Sequence, residues 1–229
     1  MTQRLPKLIA FDLDYTLWDM WIDTHVTPPL RRAKHGTDVV DRHGTRIEFY
    51  PDVGDIIRRL RREGVVVAAC SRTHAAQLAR QALSLIRIPP TPETDEEEQA
   101  AVELFDNLQI YPGSKIPHFK ALHAATGIAY EEMLFFDDER RNREVETLGV
   151  TFHLTPQGVD NAIFEAGVKA WNARRCDVAP SSDTGGEGGA HSAARSPMMR
   201  DLLVLLLECD PRLNRRSCGV KMNGERGRV

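Results

Sequence analysis

Cysteine is scarce and unpatterned in this chain. The four in 229 residues, Cys70, Cys176, Cys209 and Cys218, form no C-x-x-C pair. That excludes a zinc knuckle and a disulfide framework, and a thiol-reduced, cytoplasmic protein is expected. Long apolar runs are also missing. The longest late one, residues 202–207, falls far short of the roughly 18–20 residues that a membrane span needs. The opening Met1-Thr2-Gln3-Arg4-Leu5-Pro6-Lys7 leads into an acidic segment too early for a secretory signal peptide. Neither sign of charge dominates: 30 basic residues face 33 acidic ones, for a net charge of −3. The balance gives no electrostatic case for a nucleic-acid or membrane partner. What remains is an ordinary soluble composition, 41% hydrophobic and 28% charged. The length suits one well-cored domain and falls short of two.

Up to about residue 173 the sequence alternates short apolar runs with helical periods. Leu8-Ile9-Ala10-Phe11, Val65-Val66-Val67-Ala68-Ala69-Cys70, Leu134-Phe135-Phe136 and the weaker Thr151-Phe152-His153-Leu154 read as buried strands. Val53, Ile56, Ile57 and Leu60 keep the i, i+3, i+4, i+7 rule. Arg58, Arg59, Arg61 and Arg62 fall on the opposite face, and Gly64 marks the stop. Ala75, Leu78, Ala79, Ala82, Leu83 and Ile86 repeat the pattern, and Ile163, Ala166, Gly167, Ala170 and Trp171 make a last helix. Strands separated by helices imply parallel pairing, hence an α/β fold with a doubly wound, mostly parallel sheet.

Two segments interrupt that rhythm. Residues 20–50 hold Val39-Val40 and Ile47, Phe49 around the turn-prone Asp41-Arg42-His43-Gly44, which reads as a hairpin flap over the sheet. Residues 89–98 pass from prolines into an acidic run and read as an exposed, solvated loop. Beyond residue 175 the composition changes: 14 of the 25 residues 176–200 are Gly, Ser, Ala or Pro. The residues after 210 are basic. Residues 1–175 are therefore expected to form the domain, and 176–229 a poorly ordered tail.

The chemistry gathers at strand ends. The first strand runs into Asp12-Leu13-Asp14-Tyr15-Thr16, and open α/β sheets bind ligands at such ends. Two carboxylates 4 Å apart repel by about 4 kcal/mol at an effective dielectric near 20, so the pair needs a cation or a shared proton. The second strand ends in Cys70-Ser71-Arg72-Thr73, a hydroxyl ahead of a helix N-terminus, which suits phosphate oxygens and equally a simple cap. The third ends in Phe136-Asp137-Asp138-Glu139, a second acidic pair. Between them, Tyr111-Pro112-Gly113-Ser114-Lys115 sets a lysine at a helix start. A cation is unfavourable there, so an anion is expected beside it. The histidines His25, His43, His74, His118, His123 and His153 share no metal-ligand spacing and read as surface or packing residues.

In order and residue type, these four elements resemble the haloacid-dehalogenase (HAD) superfamily of aspartyl-phosphate enzymes. The strings Phe11-Asp12-Leu13-Asp14-Tyr15-Thr16-Leu17-Trp18, Ala69-Cys70-Ser71-Arg72-Thr73, Ile110-Tyr111-Pro112-Gly113-Ser114-Lys115 and Phe135-Phe136-Asp137-Asp138-Glu139 are similar to those of its eukaryotic magnesium-dependent phosphatases. So is Trp21-Ile22-Asp23-Thr24-His25-Val26 in the flap, and the likeness spans about residues 4–173. It implies a HAD-like Rossmannoid sheet and a magnesium-dependent phosphatase. Asp12 becomes the nucleophile and Asp14 the general acid and base. Magnesium falls to Asp12, the Asp14 carbonyl and Asp138, with Asp137 holding a metal-bound water or orienting its neighbour. Ser71, the backbone amide of Arg72 and Lys115 become the phosphate grips, and Thr16 steadies the first loop by hydrogen bonding. An Asp at position 14 further implies phosphatase or mutase chemistry, since the dehalogenases lack it and the ion-pumping ATPases carry Thr there.

The small flap implies an open site, hence phosphotyrosine on protein or a sugar phosphate as substrate, and a monomer is expected. Arg72, Trp18 and Trp21 either touch that substrate or, for the two indoles, pack beneath the flap. The alternatives are a phosphotransferase or mutase on the same intermediate, and a phosphate-binding module without turnover.

Overall fold

The computed structural model describes residues 4–33, 39–90 and 97–176. The tail 177–229, with the run 202–207 and the basic end, and most of the acidic loop (91–96), lie outside the described residues. Leu8-Ile9-Ala10-Phe11 is apolar on both faces and forms β1 (Leu8–Phe11), every residue buried. The chain turns sharply after it, passes through a short helix α1 (Ile22–His25), and builds a flap from β2 (Arg31–Arg32), β3 (Val39–Val40) and β4 (Arg46–Ile47). The expected hairpin is thus the β3–β4 half of a three-stranded antiparallel sheet. Asp41 folds its turn by accepting the backbone N–H groups of Thr27, His43 and Thr45.

The helix α2 (Val53–Arg62) follows the apolar period, then β5 (Val66–Ser71) and α3 (Ala76–Leu85). Next come β6 (Arg87–Ile88) and β7 (Gln99–Ala100), an antiparallel pair at the base of the segment read as a plain loop. One assignment is overturned here. Arg58, placed on the solvent face of α2, is only 1% exposed. Its guanidinium donates to the carbonyl oxygens of Pro89, Ile88 and Glu97, gathering both ends of the acidic segment. Five N–H donors in one planar group let a buried arginine satisfy several carbonyls that would otherwise be unpaired.

Beyond lie β8 (Asn107–Ile110), α4 (Lys115–Thr126), β9 (Met133–Asp137), a nine-residue 3-10 helix (Arg140–Leu148), β10 (Thr151–Leu154) and α5 (Asn161–Cys176). The main sheet runs β10-β9-β1-β5-β8, with every pairing parallel. The order places β1 in the middle, and helical crossovers cover both faces. β8 is absent from the pattern of apolar runs because it is an edge strand, where Asn107 and Gln109 remain partly exposed and only Ile110 is buried.

Phe11, Phe136 and Phe164 stack in series through the core, tying β1 and β9 to α5. Gly167 lets α5 approach: a Cβ at that position would lie 2.5 Å from the Phe136 ring. Gly167→Ala should therefore cost about 1–3 kcal/mol of stability through overpacking, read as a lower midpoint in urea unfolding. No helix among the described residues is long and apolar enough to cross a membrane.

Candidate active site

The C-terminal ends of β9, β1 and β5 lie side by side, and together with the start of α4 after β8 they deliver charged and hydroxyl side chains to one pocket of about 520 Å³. Asp12 follows β1 directly, and its backbone N–H donates to the Phe136 carbonyl, which pins it against β9. The N–H groups of Thr16, Leu17 and Trp18 all turn back to the Leu13 carbonyl, and Tyr15 takes a φ of 53°, left-handed for a residue with a side chain. This tight loop brings Asp14 to the same pocket as Asp12. The Asp14 Oδ1 accepts the Trp18 indole N–H at 2.7 Å and the Ile22 N–H at 3.2 Å.

Thr16 is fully buried and does not line the pocket; its Oγ1 accepts the Asp138 N–H at 3.2 Å. It therefore joins the β1 loop to the β9 loop and makes no contact with the pocket. Ser71, the last residue of β5, and Arg72 after it line the pocket, and so does Lys115, the first residue of α4.

Lys115 is completely buried. Its Nζ lies 2.7 Å from Asp12 Oδ1 and 3.0 Å from Asp137 Oδ2, and it also donates to the Cys70 carbonyl. A lysine at a helix start calls for an anion beside it, and the anion at the α4 amides is the protein's own. Glu144 accepts from the Lys115 backbone N–H at 2.8 Å and from the Ser114 hydroxyl at 2.7 Å. The lysine side chain bends away toward Asp12 and Asp137.

One oxygen from each of Asp12, Asp137 and Asp138 lies within 4.8 Å of the others, the one such group of possible metal ligands among the described residues. The two carboxylates that end β9 differ sharply. Asp137 is fully buried, with its oxygens taken by the Glu139 N–H, the Asn142 amide and Lys115. Asp138 lines the pocket, and Asp137 does not.

Crowded carboxyl groups out of water resist ionisation. Burial pushes Asp12 up to about 8, with the Lys115 ammonium opposing and the Asp137 charge adding to the rise. Asp14 rises to about 6 through burial, against the pull of the Trp18 hydrogen bond. Asp138 rises to about 7 through burial and the charges of Asp137 and Glu139. Burial alone would lower Lys115, but the Asp12 and Asp137 charges outweigh it and hold the ammonium above its usual range. Three hard oxygen donors around a single lysine leave surplus negative charge, and that donor set fits a small divalent cation.

Several contributors carry no sequence signature. Asn142 and Glu144 come from the 3-10 helix after β9. His118, grouped with surface or packing residues, is buried and stacked on Tyr111 at 4.0 Å. Its Nε2 lies 3.1 Å and 3.0 Å from the carbonyl oxygens of Ser71 and Tyr111, and its Nδ1 2.9 Å from that of Ser114. It thus clasps the β5 end to the α4 start. The two tryptophans separate as well. Trp18 is fully buried against Phe49. Trp21 is half exposed on the pocket wall, with its ring against Tyr15 and His25.

A central parallel sheet with acidic residues after β1 and β9 and a buried lysine between them defines a hydrolase of the HAD superfamily. The family model described as Acid Phosphatase matches residues 4–174, and the chain belongs to that family. It is 50% identical over 150 residues to a HAD-like hydrolase superfamily protein of Schizosaccharomyces pombe, covering 65% of this chain and 85% of that one. It is 43% identical over 169 residues to magnesium-dependent phosphatase 1 of Homo sapiens, covering 73% and 88% of the two chains. Among solved structures, a haloacid dehalogenase-like family hydrolase from Xanthomonas campestris matches with a TM-score of 0.50 at 11% identity, over 76% of this chain and 99% of that chain, a likeness of fold alone.

Proposed function

We propose that residues 1–175 are a magnesium-dependent phosphatase, a cytoplasmic monomer, that hydrolyses phosphate monoesters through an aspartyl-phosphate on Asp12. The observation that carries this reading is Asp12 at a pocket wall, with Lys115 Nζ at 2.7 Å and the Asp137 and Asp138 carboxylates beside it. Asp12, Asp138 and the Asp14 carbonyl would hold magnesium, with Asp137 orienting the cluster from behind. Bound there, the ion supplies charge neutralisation for a phosphate dianion facing carboxylates.

The residues divide the reaction as follows. Lys115, Ser71 and Arg72 bind the three non-bridging oxygens and line up the phosphorus with an Asp12 oxygen. That oxygen attacks the phosphorus, the ester P–O bond breaks, and the leaving oxygen takes a proton from Asp14. A water molecule then gives its proton to Asp14 and attacks the same phosphorus, which frees phosphate and restores the Asp12 carboxylate. A carboxyl raised to about 6 suits Asp14 to both duties. The Trp18 and Ile22 N–H groups hold Oδ1, so the proton travels on Oδ2.

The flap is small and the pocket opens to solvent, which favours a phosphate displayed on a large molecule. Trp21 offers a flat face at the mouth, so the leaving group is a tyrosine ring or a sugar ring laid against the indole. The test is phosphate release with and without magnesium from p-nitrophenyl phosphate, phosphotyrosine peptides, sugar phosphates and nucleotides. Turnover that persists in EDTA, or nucleotides as the preferred substrates, would overturn the proposal.

A pH dependence follows from the raised carboxyls. The folded, metal-free site keeps protons that the unfolded chain releases near pH 4, so its stability falls as pH climbs from there through about 6, 7 and 8. Magnesium competes with those protons. The rise in melting temperature on adding magnesium should therefore be larger at pH 8 than at pH 5, measured by thermal melts at matched ionic strength.

A further inference from the structure

The phosphatase reading leaves the buried pocket residue Asn142 without a task. Asn142 is 1% exposed and lines the pocket. Its amide nitrogen lies 2.9 Å and 2.8 Å from the two oxygens of Asp137, and its amide oxygen accepts from an Arg72 NH group at 2.9 Å. Asp137 continues to Lys115 at 3.0 Å, and Lys115 to Asp12 at 2.7 Å. An unbroken chain of polar contacts therefore joins Arg72 on the β5 loop to Asp12 after β1, with Asn142 as the link between its two halves.

The chemistry of the neighbours fixes which way the amide points. A carboxylate only accepts and a guanidinium only donates, so the NH₂ end must face Asp137 and the oxygen end Arg72. A carboxylate in place of the amide would keep the contact with Arg72 and repel Asp137. An aliphatic side chain would leave both charged partners without this bond in a buried setting, where such losses are costly. Arg72 has competing anions nearby, since Asp138 and Glu139 line the same pocket. Glu139 is engaged by Arg141 through two bonds of 2.7 Å and 2.6 Å.

We propose that Asn142 is a positioning residue for phosphoryl transfer whose two amide ends do separate work. The oxygen holds Arg72 in place as a phosphate grip, and the NH₂ locks Asp137 against Lys115. The proposal rests on the phosphatase reading for its kinetic consequences, and on phosphate binding for a test that does not need turnover.

Two measurements decide it: steady-state kinetics on p-nitrophenyl phosphate with magnesium, and calorimetric titration with orthophosphate. Asn142→Ala frees Arg72 and Asp137 together, so KM and the orthophosphate Kd should each rise about tenfold while kcat falls by a similar factor. Asn142→Asp keeps the acceptor for Arg72, so KM should stay within about twofold while kcat falls tenfold or more. Arg72→Ala should weaken orthophosphate as Asn142→Ala does, and the double variant should be no weaker than Arg72→Ala alone, because partners in one network do not add.

A merely structural role would lower stability without separating KM from kcat between the Ala and Asp variants. Kinetic and binding constants of Asn142→Ala within twofold of the parent, or additive losses in the double variant, would overturn the proposal. Should the parent chain release no phosphate, the phosphatase reading falls, and the orthophosphate titrations still decide this one: a tenfold loss in Asn142→Ala supports it, and unchanged affinity overturns it.

Discussion

Asp12→Asn should release no measurable phosphate, with turnover lower by about four orders of magnitude or more, as for removal of a covalent nucleophile. An amide oxygen is a poor nucleophile, and it cannot carry the phosphoryl group through a hydrolysable acyl phosphate. The fold should survive. Asn is close in size to Asp, and its amide oxygen still accepts from Lys115. The raised carboxyl at this position also means that the native charge is held at a cost. A neutral replacement should leave the melting temperature of the metal-free protein unchanged or higher at pH 8. Phosphate release and a thermal melt on the same sample check both halves, and a variant with appreciable turnover would show that the phosphoryl group does not pass through Asp12.

Lys115→Ala should fail in two ways at once. Loss of one preorganised cation at a phosphoryl site lowers kcat by about 10²–10³. Here the same ammonium also neutralises Asp12 and Asp137 in a setting closed to water. Removing one member of a buried charged cluster costs about 3–5 kcal/mol, because the remaining carboxylates are left unpaired. Those carboxylates can relieve the strain by taking up protons. The destabilisation should therefore be smaller at pH 5 than at pH 8, which is the order to look for in denaturant unfolding at the two values.

The chemistry-bearing strands were legible because a buried parallel strand must be apolar on both faces, so β1, β5 and β9 stand out as runs that stop at Asp12, Ser71 and Asp137. The edge strand β8 obeys no such rule and leaves no apolar run. The burial of Arg58 escapes the sequence pattern for a related reason. Helical period separates it from Ile57 by one position, and the carbonyls that bury it belong to residues 30 to 39 positions away. Asn142 and Glu144 carry no sequence signal because the contacts that tie them to the β5 loop and the α4 start come from remote positions. Arg72 is 70 residues from Asn142, and Ser114 is 30 from Glu144. Only the folded sheet makes them neighbours. The lysine at the start of α4 did flag an anion, yet nothing in the order of residues tells a substrate oxygen from a glutamate supplied by the chain itself.

With β5 on one side and β9 on the other, β1 has neighbours bonded along both of its edges. The residue that follows it, Asp12, is held to β9 by its own backbone N–H as well. Fit to differently shaped molecules must come from the short elements around the mouth, where Trp21 and its companion rings sit. Under the proposed function, reaction and selectivity belong to separate parts of the polypeptide, and substitutions at the mouth should retune what enters while Asp12 and Lys115 stay as they are.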